Sequence, residues 1–163
     1  MSTKDTPKFS KSDRALMVVS DATIYGSTRL QKYGFLLTQQ YKKEMEGIAK
    51  ATPELKFYDD WAPLWFGPFS KSLAKDIDAC MQNGLIYKEP VKLSQNSFRY
   101  GLTLKGRRKW RAMLHKSTKD ITAIHKKVMN LQKMRLERLL EYIYYAYPEY
   151  TVNSTIREKI SGL

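Results

Sequence analysis

Apolar residues return along this chain at helical spacing in four stretches and as short extended runs in two more. Ala15, Leu16, Val18 and Val19 follow Ser12 and Asp13, either of which can cap a helix, and the run stops before Tyr25-Gly26. Ser27 is a good cap for a second helix. There Leu30, Tyr33, Leu37, Tyr41, Met45 and Ile48 recur at three- and four-residue steps, which predicts one helix with one buried face, ended at the latest by Pro53. Ser70 opens a third helix through Asn83, with Leu73, Ile77, Cys80 and Met81 as its buried stripe and Gly84 where a left-handed cap belongs. Residues 85–89 and 98–102 then read as two strands around a polar turn at 93–97, and Thr103 can cap the helix that follows.

The longest stripe comes last. Trp110, Leu114, Ile121, Ile124, Val128 and Leu131 fall on a heptad pattern with only Ser117 polar in the seam. The phase slips at Arg135 and resumes at Leu136, Leu139, Leu140 and Ile143. Ser117-Thr118 either lie in the seam or interrupt the helix as a cap. A helix this long has more stripe than a small core covers, so the expectation is a homodimer joined through Leu114, Ile121, Ile124, Val128, Leu131, Leu136, Leu139 and Ile143. The other reading is an amphipathic helix folded back on its own domain. Tyrosines 142, 144, 145, 147 and 150 surround its end, as at a subunit contact, before a short helix reaching Ile160.

Six aromatics crowd residues 57–69: Phe57, Tyr58, Trp61, Trp65, Phe66 and Phe69. Such rings can form a stacking platform for single-stranded nucleic acid. No basic residue interleaves with them, and Asp59-Asp60 would repel a phosphate backbone. Core packing around a turn is therefore expected, with Trp61, Trp65 and Phe66 buried.

Charge changes the picture more than composition does. The 163 residues are 42% hydrophobic, too apolar for a disordered basic tail, and carry a net charge of +13. Residues 101–135 hold eleven basic side chains against Asp120 alone, which is ten of those thirteen excess charges. That concentration is the footprint expected for a phosphate backbone. No apolar run nears the ~20 residues of a membrane span, and residues 1–7 lack the apolar stretch of a signal peptide. Cys80, the one cysteine, cannot staple the chain and reads as a small apolar residue on its stripe. Two histidines are too few for a zinc-finger account of the basicity. A cytoplasmic, nucleoid-associated protein with no membrane contact is expected. Residues 1–11 read as a flexible arm, 12–116 as the main domain and 117–163 as the dimerisation segment.

Helix, glycine stop, strand, polar loop, strand, helix is the order of a winged-helix module, and particular residues sharpen the match. Residues 25–37, Tyr-Gly-Ser-Thr-Arg-Leu-Gln-Lys-Tyr-Gly-Phe-Leu-Leu, resemble the second helix of prokaryotic winged-helix proteins. Phe66-Gly67-Pro68-Phe69-Ser70, followed by Leu73, Asp76, Ile77 and Asn83-Gly84-Leu85-Ile86, resembles their third. Tyr100-Gly101-Leu102-Thr103-Leu104-Lys105-Gly106 is similar to the end of the wing in PadR-like and MarR-like transcriptional regulators. The resemblance covers roughly residues 13–114. It implies a mainly α, α+β fold: a winged helix-turn-helix with a small β wing and a long C-terminal helix. It further implies double-stranded DNA binding, sequence-specific or sequence-tolerant, and transcription regulation.

On that resemblance Lys71, Ser72, Lys75 and Gln82 are the candidate groove-reading residues, beside an acidic pair, Asp76 and Asp78, on the same helix. The wing and basic cluster supply Lys88, Lys92, Arg99, Lys105, Arg107, Arg108, Lys109 and Arg111 as candidate phosphate contacts. Lys119, Lys126 and Lys133, seven residues apart, are either a solvated exterior or a lateral DNA track. The alternative function is a protein-interaction adaptor, antitoxin-like or polymerase-associated, on the same fold, with RNA binding behind it.

Catalytic patterns are lacking. His115 and His125 have no paired carboxylate nearby in sequence, and Asp59-Asp60 and Asp76/Asp78 miss the three- or four-residue spacing that pairs carboxylates on a helix. There is no phosphate-binding glycine loop, Cys-x-x-Cys or nucleophile elbow. No enzyme, metal or cofactor is expected.

Overall fold

A computed structural model describes residues 11–51, 57–92, 97–115 and 119–152. In chain order the elements are α1 (Lys11–Val19), β1 (Ile24–Tyr25), α2 (Ser27–Gln40), α3 (Lys42–Ala51), β2 (Trp61–Leu64), β3 (Gly67–Ser70), α4 (Lys71–Gln82), β4 (Ile86–Pro90), β5 (Phe98–Leu102), α5 (Leu104–His115), α6 (Lys119–Leu131) and α7 (Leu136–Ala146), then a single 3₁₀ turn at Pro148–Tyr150. The fold is mixed α+β. The N-terminal arm, the helix end at Pro53, most of the turn at 93–97, the Ser117-Thr118 break and the short helix to Ile160 lie outside the described residues.

Five consecutive apolar residues, Ala15 to Val19, leave α1 no wet face along that run, and all five are fully buried. A helix apolar on every side belongs at the centre. Here α2, α4, α5 and α6 pack around it. Strands β1, β5 and β4 make an antiparallel sheet in that order, with Ile24 opposite Tyr100 and Ile86 opposite Leu102. These four side chains are buried on the face of the sheet that meets the helices. Gly84 ends α4 at φ 70°, a conformation that glycine adopts without a Cβ penalty. Its N–H reaches the Met81 carbonyl, while the Leu85 N–H reaches that of Cys80 at 2.8 Å, closing the helix end. Thr103 caps α5, its Oγ1 accepting from the Gly106 N–H at 3.0 Å.

The single second helix expected from the stripe is two. It breaks at Tyr41, yet the Met45 N–H still reaches the Tyr41 carbonyl at 2.9 Å. The change of direction takes Met45 and Ile48 onto α6. Tertiary packing has overridden a continuous local preference.

The long C-terminal helix is likewise corrected. α6 stops at Leu131, and residues 132–135 turn the chain through short-range bonds, Lys133 N–H to Asn130 and Met134 N–H to Leu131. The Arg29 guanidinium donates to the Met134 carbonyl at 2.7 Å and pins that turn to α2. As a result the expected dimer seam is core. Ile121, Ile124, Val128, Leu139 and Ile143 are fully buried and Leu131 nearly so, while Leu114 and Leu136 pack half-buried on the same cluster. A heptad stripe looks the same whether a second copy or the chain's own helices cover it. Here α1, α2 and α3 cover α6, so α6 and α7 share one core with the N-terminal helices.

The aromatic segment forms a hairpin, β2 antiparallel to β3. Tyr58 is buried, and Trp61 packs edge-on against Phe35 at 5.4 Å. Trp65 and Phe66 contradict the expected burial: they sit at the tip, 70% and 49% exposed. In a hairpin this short the two turn residues have no layer above them. Trp65→Ala is therefore expected to change stability by less than about 0.5 kcal/mol in urea unfolding, the usual range for a surface substitution.

Candidate nucleic-acid interface

Helix α4 is the best-anchored element of the expected site. The Ser70 hydroxyl accepts from the Leu73 N–H at 3.0 Å, a side-chain cap, and itself donates to Asp60 Oδ1. The other Asp60 oxygen accepts from the Ser72 N–H at 2.9 Å and the Ser72 hydroxyl at 2.8 Å. Partial burial works to raise the Asp60 pKa, but the bonds from Ser70 and Ser72 outweigh it and hold the carboxylate below its ordinary value. From the other side Gln31 binds both backbone groups of Ser70, donating to its carbonyl and accepting its N–H. The Ser72 hydroxyl is thus already engaged. Nothing periodic announces Asp60; its only signal is a carboxylate upstream of a helix cap.

Lys71, Lys75, Asp78 and Gln82 are exposed along one side of α4. Asp76, expected beside them, is turned inward. The Arg14 Nε donates to its Oδ2, the Arg14 Nη2 to its Oδ1 at 3.3 Å, and the Tyr58 hydroxyl to its Oδ2 at 2.7 Å. The Arg14 guanidinium also stacks over the Tyr58 ring at 4.5 Å. Burial, then the Asp76 charge, drive the Tyr58 pKa far above its ordinary value, so the phenol stays a donor. Behind this network the Cys80 thiol is buried and pushed up to about 11, which keeps it a thiol.

The basic cluster divides into two kinds. Arg99 pairs with Glu89 at 2.9 Å and Lys109 with Asp13 at 3.3 Å, while Lys105 donates to the Asn83 carbonyl at 2.9 Å and closes the end of α4. These three have structural partners that charge counting could not foresee. Lys71, Lys75, Lys88, Lys92, Arg107, Arg108 and Arg111 are exposed and form no ion pair among the described residues. Lys88 lies over the Phe98 ring at 4.4 Å and, with Asp78, Met81 and Tyr100, lines a cleft of about 290 Å³ between α2, α4 and the β4–β5 hairpin. Arg107, Arg108 and Arg111 stand on α5, and no described contact joins them to the exposed side of α4. Lys119, Lys126 and Lys133 are exposed as well.

A second groove, about 340 Å³, lies between the start of α2 and the β2–β3 hairpin, and its floor includes Lys32. That residue escaped sequence reading because residues 30–37 of α2 are buried on all sides, so a lysine there has no wet face to occupy. It is 2% exposed, and its Nζ donates to the Pro68 carbonyl at 2.9 Å. Burial lowers its pKa to about 7.

Among the described residues no helix is long and apolar enough to cross a membrane, and no group of three or more His, Cys, Asp or Glu is placed to hold a metal ion. Comparison with protein-family models, curated proteins and solved structures finds no match to the chain.

Proposed function

We propose that this chain is a winged-helix protein that binds double-stranded DNA, presenting α4 to the major groove with the β4–β5 hairpin as the wing, and that it regulates transcription. The observation that carries the reading is the sheet order β1-β5-β4: a short strand between the first two helices pairs with the second wing strand, as in winged helices. The segment between α2 and α4 is compatible with it, because Gln31 fastens α4 directly to α2. The inward pairing of Asp76 removes one repulsive charge from the offered face. Lys71, Lys75 and Gln82 are the side chains available to base edges, and Lys88, Lys92, Arg107, Arg108 and Arg111 are available to phosphates. Ser72 stays in the reading set only as an acceptor, its hydroxyl proton being held by Asp60.

Salt titration on random duplex, single-stranded DNA and RNA tests this. Each phosphate contact contributes about −0.9 to the slope of log affinity against log salt on B-DNA. The Lys71→Ala, Lys75→Ala double variant is expected to change preference among sequences, as loss of base-edge contacts does. The Arg107→Ala, Arg108→Ala, Arg111→Ala triple variant is expected to flatten it by up to about 3, equally on every sequence. An unchanged slope in the triple variant and an unchanged sequence preference in the double variant, with the helical signal intact, reject DNA binding. The exposed tip residues Leu64, Trp65 and Phe66 favour a second reading, a protein-interaction adaptor, which predicts weak duplex binding at physiological salt.

A further inference from the structure

The groove between α2 and the β2–β3 hairpin has a chemistry of its own. Its walls are Leu64, Trp65, Phe66 and Phe69, and among the described residues Lys32 is the one ionisable side chain lining it. Gln31 spends one amide N–H and one lone pair on the Ser70 backbone and carries no charge to compete with Lys32 for an anion. An ammonium has three donors. Lys32 uses one on the Pro68 carbonyl, and no carboxylate stands within ion-pair distance among the described residues. Buried cations in proteins are normally paired, because an isolated charge away from water is costly. Apolar walls around a single cation define the complement: one negative charge carried on an apolar body.

We propose that this groove binds a small carboxylate with an apolar body, the carboxylate pairing with Lys32 and the body lying between the hairpin rings and α2. Charge complementarity selects the carboxylate: the same walls would accept any apolar body, but only an anion supplies the counter-ion that Lys32 lacks. The first turn of α2 opens on the same groove through Ser27 and Thr28, and Gly26 provides no side-chain cap there, so the helix end adds a favourable field for the anion. This proposal stands independently of DNA binding.

Trp65 is exposed and lines the groove, so its emission reports occupancy. The wild-type chain is titrated at pH 6.5 with decanoate and 2-naphthoate, and with decanol and decylamine as uncharged and oppositely charged bodies, each below its micellar concentration. At least one carboxylate is expected to saturate the signal at least tenfold more tightly than decanol, with decylamine weaker still. Lys32→Met is expected to erase that tenfold preference while leaving any decanol binding in place. The comparison among ligands on the wild type needs no variant and decides the matter even if Lys32→Met fails to fold. Equal affinity for decanoate and decanol, no saturation by either carboxylate, or an undiminished preference in Lys32→Met overturns the proposal.

Discussion

Between pH 7 and pH 9 the folded chain is expected to gain about 2 kcal/mol of stability, and Lys32→Met is expected to remove that gain. In the unfolded chain the Lys32 amine titrates at its ordinary 10.5; folded, burial lowers it to about 7. Across that window the unfolded state binds more protons than the folded one, so stability rises with pH. The slope approaches about 1.4 kcal/mol per pH unit once the folded amine is neutral. Below pH 7 both states hold the proton, and this contribution is flat at its least favourable level. Toward pH 9 the raised Cys80 thiol, and above it the raised Tyr58 phenol, act in the opposite sense, while Lys127, also lowered by burial, acts in the same sense, so the difference between wild type and Lys32→Met isolates the amine. Around the amine, β2 and β3 bring no titratable side chain, and α7 brings the Tyr144 phenol beside Gly67. Urea unfolding at pH 7, 8 and 9 on both proteins gives the result directly. A wild-type curve flat across this range, or a slope that persists undiminished in Lys32→Met, refutes the assignment.

Gly106→Ala is expected to destabilise the chain by about 3 kcal/mol, the upper end of overpacking costs, although alanine is the better helix former by about 1 kcal/mol. Gly106 lies in the first turn of α5, where the helix crosses directly over the chain leading into β4. A Cβ there would stand 2.9 Å from the Leu85 carbonyl carbon and overlap its oxygen. That oxygen cannot yield freely, because it accepts the Thr103 N–H at 3.1 Å and Thr103 caps the same helix. The remaining escape is for α5 to lift away, which loosens Trp110 and Met113 from the core and draws Lys105 off the end of α4. Urea midpoints of the variant and the parent measure the cost. A variant as stable as the parent would mean the crossing is slack.

Much of the scaffold was legible because its signals are local. Ser70 and Gly84 bracket α4 in the sequence as they do in space, and β4 and β5 fall within a residue of their expected limits. Lys71, Lys75 and Gln82 were legible as exposed positions by helical spacing alone. What failed depended on distant partners. Asp76 reads as exposed until Arg14, sixty-two residues earlier, is seen to turn it inward. Arg99, Lys105 and Lys109 count as free cations until Glu89, Asn83 and Asp13 are found beside them. The α6 stripe is plain in the sequence but its cover is not, since apolar periodicity records that a face is covered and never by what. Trp65 and Phe66 misled for a related reason: aromatic type argues for burial, but a two-residue turn places them outside any layer.

Gln31 sets the position of α4 by gripping both backbone groups of Ser70, so the register between α2 and α4 is independent of how much chain runs between them. The fastening acts like a bolt through two plates. The connection from Gln40 to Trp61 can lengthen, shorten or change sequence over evolutionary time without rotating the face that α4 offers, provided the bolt and α3's packing on α6 are kept. This architecture therefore separates what the helix contacts from what its insertion becomes, and lets the two diversify at different rates.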